Sequence, residues 1–204
     1  MVAGFLALRL YSVLGKRTGH EQPLPKPTED RPNTTVARTI DVTPETRELP
    51  RAVDEGARAG LRALIAADPT FDVAQFLEGA KSAYRMILEA YWKGDEESLA
   101  WLAEDDVRAA FVDAIEERRA AGHVLDNRLV DIERAQIVDA SIEGRNARVT
   151  VRFDADIAAI TRDADGNVIA GSMTDAVDTH DVWTFARRVR SDDPNWKLAE
   201  TDEA

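Results

Sequence analysis

The stretch FDVAQFLEGAKSAYRMILEAYWKGD, residues 71–95, decides the fold. Asp72 is placed to cap a helix, with Gln75 three residues on to reach back to it. Phe71 before the cap and Phe76 after it have the spacing of a hydrophobic staple. Val73, Phe76, Leu77, Ala80, Tyr84, Ile87, Leu88 and Tyr91 then fall on one face at helical spacing. Glu78, Lys81, Arg85 and Glu89 take the other face, and Gly94 stands where a left-handed C-terminal cap is needed. A stripe this wide, carrying three large rings, needs a broad partner surface. Several strands later in the chain can provide one.

Outward from this helix, residues 51–67 predict a moderately amphipathic helix. Val53, Ala57, Leu61, Leu64 and Ile65 form its apolar side, and Arg51, Arg58 and Arg62 form a basic stripe. Two readings stand for it. The arginines meet anionic lipid with apolar residues at the headgroup boundary, or the helix packs back on the domain with its charges solvated or paired with Asp54 and Glu55. After residue 95 come a short helical piece at Leu99 and Leu102, and a second one carrying Val107, Ala110, Phe111, Ala114 and Ile115 that ends at Gly122.

From about residue 128 the period falls from helical to two. Val149, Val151, Phe153, Ala155 and Ile157 alternate inward, with Asp154 and Asp156 outward. Residues 130–142 form a strand with a phase slip, the mark of a bulge. Residues 177–190 and 196–201 supply two more. Helices first and a meander of strands afterwards is an α+β fold, an antiparallel curved sheet packed against N-terminal helices.

Residues 1–17 are apolar apart from Arg9, Ser12 and the closing Lys16 and Arg17. The run is short of the roughly 20 apolar residues of a spanning helix, so it reads as a clipped or partly inserting membrane anchor; a terminus docked on the domain is the alternative. Its trailing basic pair keeps the rest of the chain on the cytoplasmic side. Phe5, Leu6, Leu8 and Leu10, with Arg51, Arg58 and Arg62, are the candidate membrane contacts. Residues 18–50 hold six of the 8 prolines and no hydrophobic periodicity, a disordered linker. Residues 51–204 form the folded domain.

The net charge of −12 opposes generic nucleic-acid binding. The lack of cysteine excludes disulfides, thiol catalysis and thiolate-bound zinc. Asp163-Ala164-Asp165-Gly166-Asn167 has its glycine in the wrong place for a calcium loop and reads as a hairpin turn. His180 and Asp181 are neighbours on a strand, so they face opposite sides and make no dyad. His123 closes a helix. No metal spacing, nucleophile elbow or phosphate loop is present.

Two separated stretches resemble a known family in the same order. Phe71, Asp72, Phe76, Leu77, Gly79, Ala80, Lys81, Ala83, Tyr84, Gly94 and Asp95 match one motif. Trp183, Thr184, Phe185, Ala186, Arg187, Asp193, Pro194, Asn195 and Trp196 match the other. The family is that of the C-terminal domain of the mitochondrial inner-membrane import-motor tether, the Tim forty-four-like family, with its alphaproteobacterial relatives. The resemblance implies the cone-shaped nuclear-transport-factor-two-like fold. It also implies a non-enzymatic, cofactor-free module at the bacterial inner membrane, on the cytoplasmic side, linked to protein translocation or membrane-complex assembly. Its implied partners are membrane lipid, an inner-membrane protein complex, and a protein client or chaperone; the short linker here argues against chaperone recruitment.

The aromatic residues read as core first. A second reading lets Tyr84, Leu88, Tyr91, Trp101, Phe153, Trp183 and Phe185 line an apolar pocket, for a carried ligand or for a small isomerase or hydrolase. A buried carboxylate facing a pocket tyrosine favours that reading, and a pocket of apolar groups alone opposes it.

Overall fold

The computed structural model describes residues 52–203 apart from Asp192. The residues of the anchor-like segment and the linker, including Phe5, Leu6, Leu8, Leu10 and Arg51, lie outside the described residues. Among the described residues four helices come first: α1 (Arg58–Ala67), α2 (Val73–Lys93), α3 (Glu96–Leu102) and α4 (Asp105–Ala120). Four strands follow: β1 (Val124–Glu143), β2 (Asn146–Arg162), β3 (Val168–Arg188) and β4 (Lys197–Glu203). They form one antiparallel sheet in chain order, β1-β2-β3-β4. The expected α+β layering is therefore present.

The organising helix forms as its sequence predicts. The Asp72 side chain accepts from the Gln75 backbone N–H at 2.8 Å, and the Phe71 and Phe76 rings meet at 5.6 Å. Gly94 ends the helix at φ 71°, and its N–H reaches the carbonyls of Ala90 and Tyr91. The inward stripe from Val73 to Tyr91 is buried. Its rings meet partners on the sheet and on α4: Phe76 lies against Phe185, Tyr84 against Phe153 and Trp183, and Tyr91 against Phe111.

Two boundaries differ from the sequence reading. The first helix starts at Arg58 rather than 51. Ahead of it, Val53 bridges Ile137 in parallel, with Asp54 N–H donating to the Ile137 carbonyl at 2.8 Å and Ile137 N–H to the Ala52 carbonyl at 2.9 Å. Asp54 also accepts from Gly56 N–H at 3.0 Å, which turns the chain. A sheet edge with unpaired backbone groups outcompetes one more helical turn. The strands are also longer than predicted. β3 begins at Val168, because the β2–β3 hairpin pairs down to Arg162↔Val168.

The predicted slip in β1 appears as register shifts at Leu129/Asp131, Ile132/Arg134 and Ile137/Asp139. Such bulges bend a strand and raise its twist. The turn at 163–167 is held by Asp163, which accepts from the backbone N–H groups of Asp165 at 3.0 Å and Asn167 at 2.8 Å.

Candidate functional site

The inner face of the sheet carries the aromatic cluster. Phe153 on β2 and Trp183 on β3 point at α2, and Tyr84 of α2 lies against both. Its ring stacks on Phe153 at 4.4 Å and meets Trp183 at 4.6 Å. Phe185 continues the layer, 6.4 Å from Trp183 and 6.2 Å from Phe76. Tyr84, Phe153, Trp183, Phe185 and Leu88 are all buried. At these separations each ring contributes packing beyond its buried area, about 0.5–1.5 kcal/mol per pair.

One polar contact sits in this layer. The Tyr84 hydroxyl donates to Asp181 Oδ2 at 2.6 Å, with Asp181 itself buried. Asp181 opposes Phe153 across the strands, so it shares the inner face. The next residue back, His180, faces the other way and bonds Asp154 at 2.9 Å. The two neighbours thus take opposite faces, as strand geometry requires. The Tyr84–Asp181 contact joins residues far apart in the chain, and no local pattern announces it.

Two of the seven proposed pocket residues fall elsewhere. Trp101 is 76% exposed, and Leu99 takes the inward position of the two-turn α3. This corrects the assignment of Trp101 to a pocket. Tyr91 is buried between α2 and α4 rather than against the sheet: its ring lies 5.4 Å from Phe111, under the Arg118 guanidinium at 5.2 Å. Burial pushes the Tyr91 phenol up, against the opposing pull of Arg118.

The outer face is polar. Asp154 is on this face as expected, yet it is buried there rather than solvated. Arg152 donates to it at 3.1 Å, His180 bonds it at 2.9 Å, and Arg134 lies 3.7 Å away. Burial alone raises a carboxyl, but the hydrogen bonds from His180 and Arg152 outweigh it and hold the Asp154 carboxyl below its ordinary range. The next row sets Asp131, Asp156 and Asp178 side by side across three strands. Desolvation first, then the hydrogen bond with Asp178 and the charges of Glu133, Asp178 and Asp131, push the Asp156 carboxyl up. Among the described residues no group of three or more carboxylates or histidines is arranged to hold a metal ion.

The basic stripe of the first helix separates cleanly from its apolar side. Ala57, Leu61 and Leu64 are fully buried, so that side packs on the domain and is not available to lipid. Arg58 and Arg62 are exposed, and neither makes an ion pair among the described residues. None of the described helices is long and apolar enough to cross a membrane.

The Tim44-like domain matches residues 57–203 of this chain. No curated protein matches it. Solved structures similar to this chain include these two. The intermembrane space region of the chloroplast protein ARC6 is 16% identical, with a TM-score of 0.47, and the match covers 66% of this chain and 98% of that one. A putative dehydratase of the NTF2-like family from Streptomyces avermitilis is 20% identical, with a TM-score of 0.36, and the match covers 62% of this chain and 95% of that one.

Proposed function

The chain belongs to the Tim44-like domain family, and we propose that it is a non-enzymatic, membrane-associated binding or scaffold module. Family membership supports a membrane or protein partner in general. The finer assignment is our own: the inner membrane, the cytoplasmic side, and a role near protein translocation or membrane-complex assembly. The observation that carries the membrane contact is the outward stripe of Arg58 and Arg62. In a chain of net charge −12, these two cations stand exposed and without an ion-pair partner among the described residues. An anionic surface is their natural complement, worth about 1 kcal/mol per cation at the headgroups.

Vesicle flotation tests this. A version beginning at Arg51, which lacks the anchor-like segment, is expected to float with phosphatidylglycerol-containing vesicles at low salt and to float poorly with phosphatidylcholine alone. Arg58→Gln with Arg62→Gln should weaken the association by about 30-fold, with the melting temperature unchanged. A variant that floats as well as the parent contradicts the assignment of the contact to this stripe.

A second reading has one observation behind it, the buried Tyr84–Asp181 pair. In an enzyme or ligand carrier such a pair supplies a proton donor and acceptor to a bound molecule. Here the tyrosine hydroxyl is already directed at the carboxylate, and its ring is held between Phe153 and Trp183. That arrangement favours an orienting contact within the core over a reacting pair.

A further inference from the structure

A cleft of about 420 Å³ opens on the outer face, where the β1–β2 turn meets the β3–β4 connection. Its floor follows from the register. Arg148, Ala186 and Lys197 lie in one row across β2, β3 and β4. The small Ala186 is in the middle, so the Cα atoms of the two cations stand roughly 10 Å apart over a methyl floor, twice the strand spacing. Arg188, two residues along β3, is on the same face, with Asn146 opposite it.

The cations are incompletely neutralised. Arg148 reaches Glu200 at 3.1 Å. Among the described residues the Lys197 ammonium makes no ion pair; it donates to the Ala100 carbonyl at 3.4 Å. Arg188 is exposed and has no ion pair among the described residues. Glu104 and Glu143 line the same cleft, and neither makes an ion pair among the described residues. Asp193 is tied up in its own turn, accepting from the Asn195 backbone N–H at 2.9 Å.

We propose that this cleft binds a polyol phosphate, with the phosphate on Arg148, Arg188 and Lys197 and the hydroxyl groups donating to Glu104 and Glu143. Guanidinium groups match phosphate oxygens in pairs, and ammonium serves as a point charge beside them. A bare anion meets repulsion from the two glutamates. A phosphate ester bearing hydroxyl groups turns the same carboxylates into acceptors. The chemistry is shared by a free glycerol phosphate and by the headgroup of a glycerophospholipid. The site is separate from the Arg58 and Arg62 stripe and does not depend on that stripe's role.

The experiment is a titration of glycerol phosphate into the isotope-labelled full chain at low salt, followed by the amide signals of Asn146, Ala186 and Arg188. Saturable shifts are expected at these positions. They should need at least about tenfold more ligand in Arg188→Gln with Lys197→Gln, since charge-assisted hydrogen bonds to the phosphate are lost. Both residues are on the sheet's outer face, and an unchanged melting temperature confirms that the variant folds. A second arm presents phosphatidylglycerol vesicles to the version beginning at Arg51, so that the N-terminal segment does not contribute. Vesicle binding that falls tenfold in the same variant, without a response to the soluble ester, supports the site with a lipid headgroup as the source. No response in either arm overturns the proposal, as does binding that the double variant leaves intact.

Discussion

Gly60→Ala is expected to destabilise the fold by about 3 kcal/mol, which lowers the melting temperature by roughly 6–12 °C. A Cβ at this position lies 1.6 Å from the Ala140 carbonyl oxygen and 2.6 Å from its carbon. The obstruction is backbone in β1, so no rotamer change relieves it. The helix cannot easily back away either, because Ala57, Leu61 and Leu64 are all fully buried. Alanine gains about 1 kcal/mol over glycine in helix propensity, but the forced separation of helix and sheet outweighs it. Gly79 is the internal control. It lies mid-helix in α2 with nothing within 4 Å of an added Cβ, so Gly79→Ala should raise the melting temperature by a few degrees. Thermal melts of the two variants check both signs. Equal effects would mean that α1 does not sit on β1 as described.

Arg187→Met is the second large effect, a loss of about 3–5 kcal/mol. Asp68, just after α1, is 6% exposed, and Arg187 on β3 is its charge partner. The guanidinium also lies over the Trp196 ring at 5.0 Å and donates to the Pro194 carbonyl at 3.3 Å. Methionine keeps the apolar stem but leaves the Asp68 charge buried without its cation. Thr70 softens the loss by donating to Asp68 through its hydroxyl at 2.6 Å. Adding Asp68→Asn to Arg187→Met should recover part of the stability, because the stranded charge is then gone. Denaturant unfolding of the two singles and the double variant measures the coupling. Additive losses would contradict a direct ion pair.

What could be read from the sequence divides along physical lines. The limits of α2 were legible because its signals are local: a capping aspartate, a staple pair and a glycine at the left-handed cap. The alternation of β2 and the slip in β1 were legible for the same reason. The start of α1 was not, since residues 52–54 are claimed by the edge of β1 some eighty positions later. Trp101 was misplaced because a two-turn helix gives too little period to decide which of Leu99 and Trp101 points inward. Tyr84–Asp181 and Asp68–Arg187 join residues about a hundred positions apart, and only the folded register brings them together. Asp154 shows the limit of a face assignment. The alternation put it on the right side of the sheet, but its burial comes from Arg152 and His180, which the pattern does not weigh.

The most direct test of a membrane-associated module is partition in cells. The full chain and a version beginning at Arg51 are expressed, the cells are fractionated, and the membranes are washed with high salt and then with alkaline carbonate. The account predicts that the full chain stays with washed membranes, while the shortened version binds weakly through Arg58 and Arg62 and leaves with salt. Recovery of both versions in the soluble fraction would contradict membrane association and turn attention to the Tyr84–Asp181 pair as the seat of function.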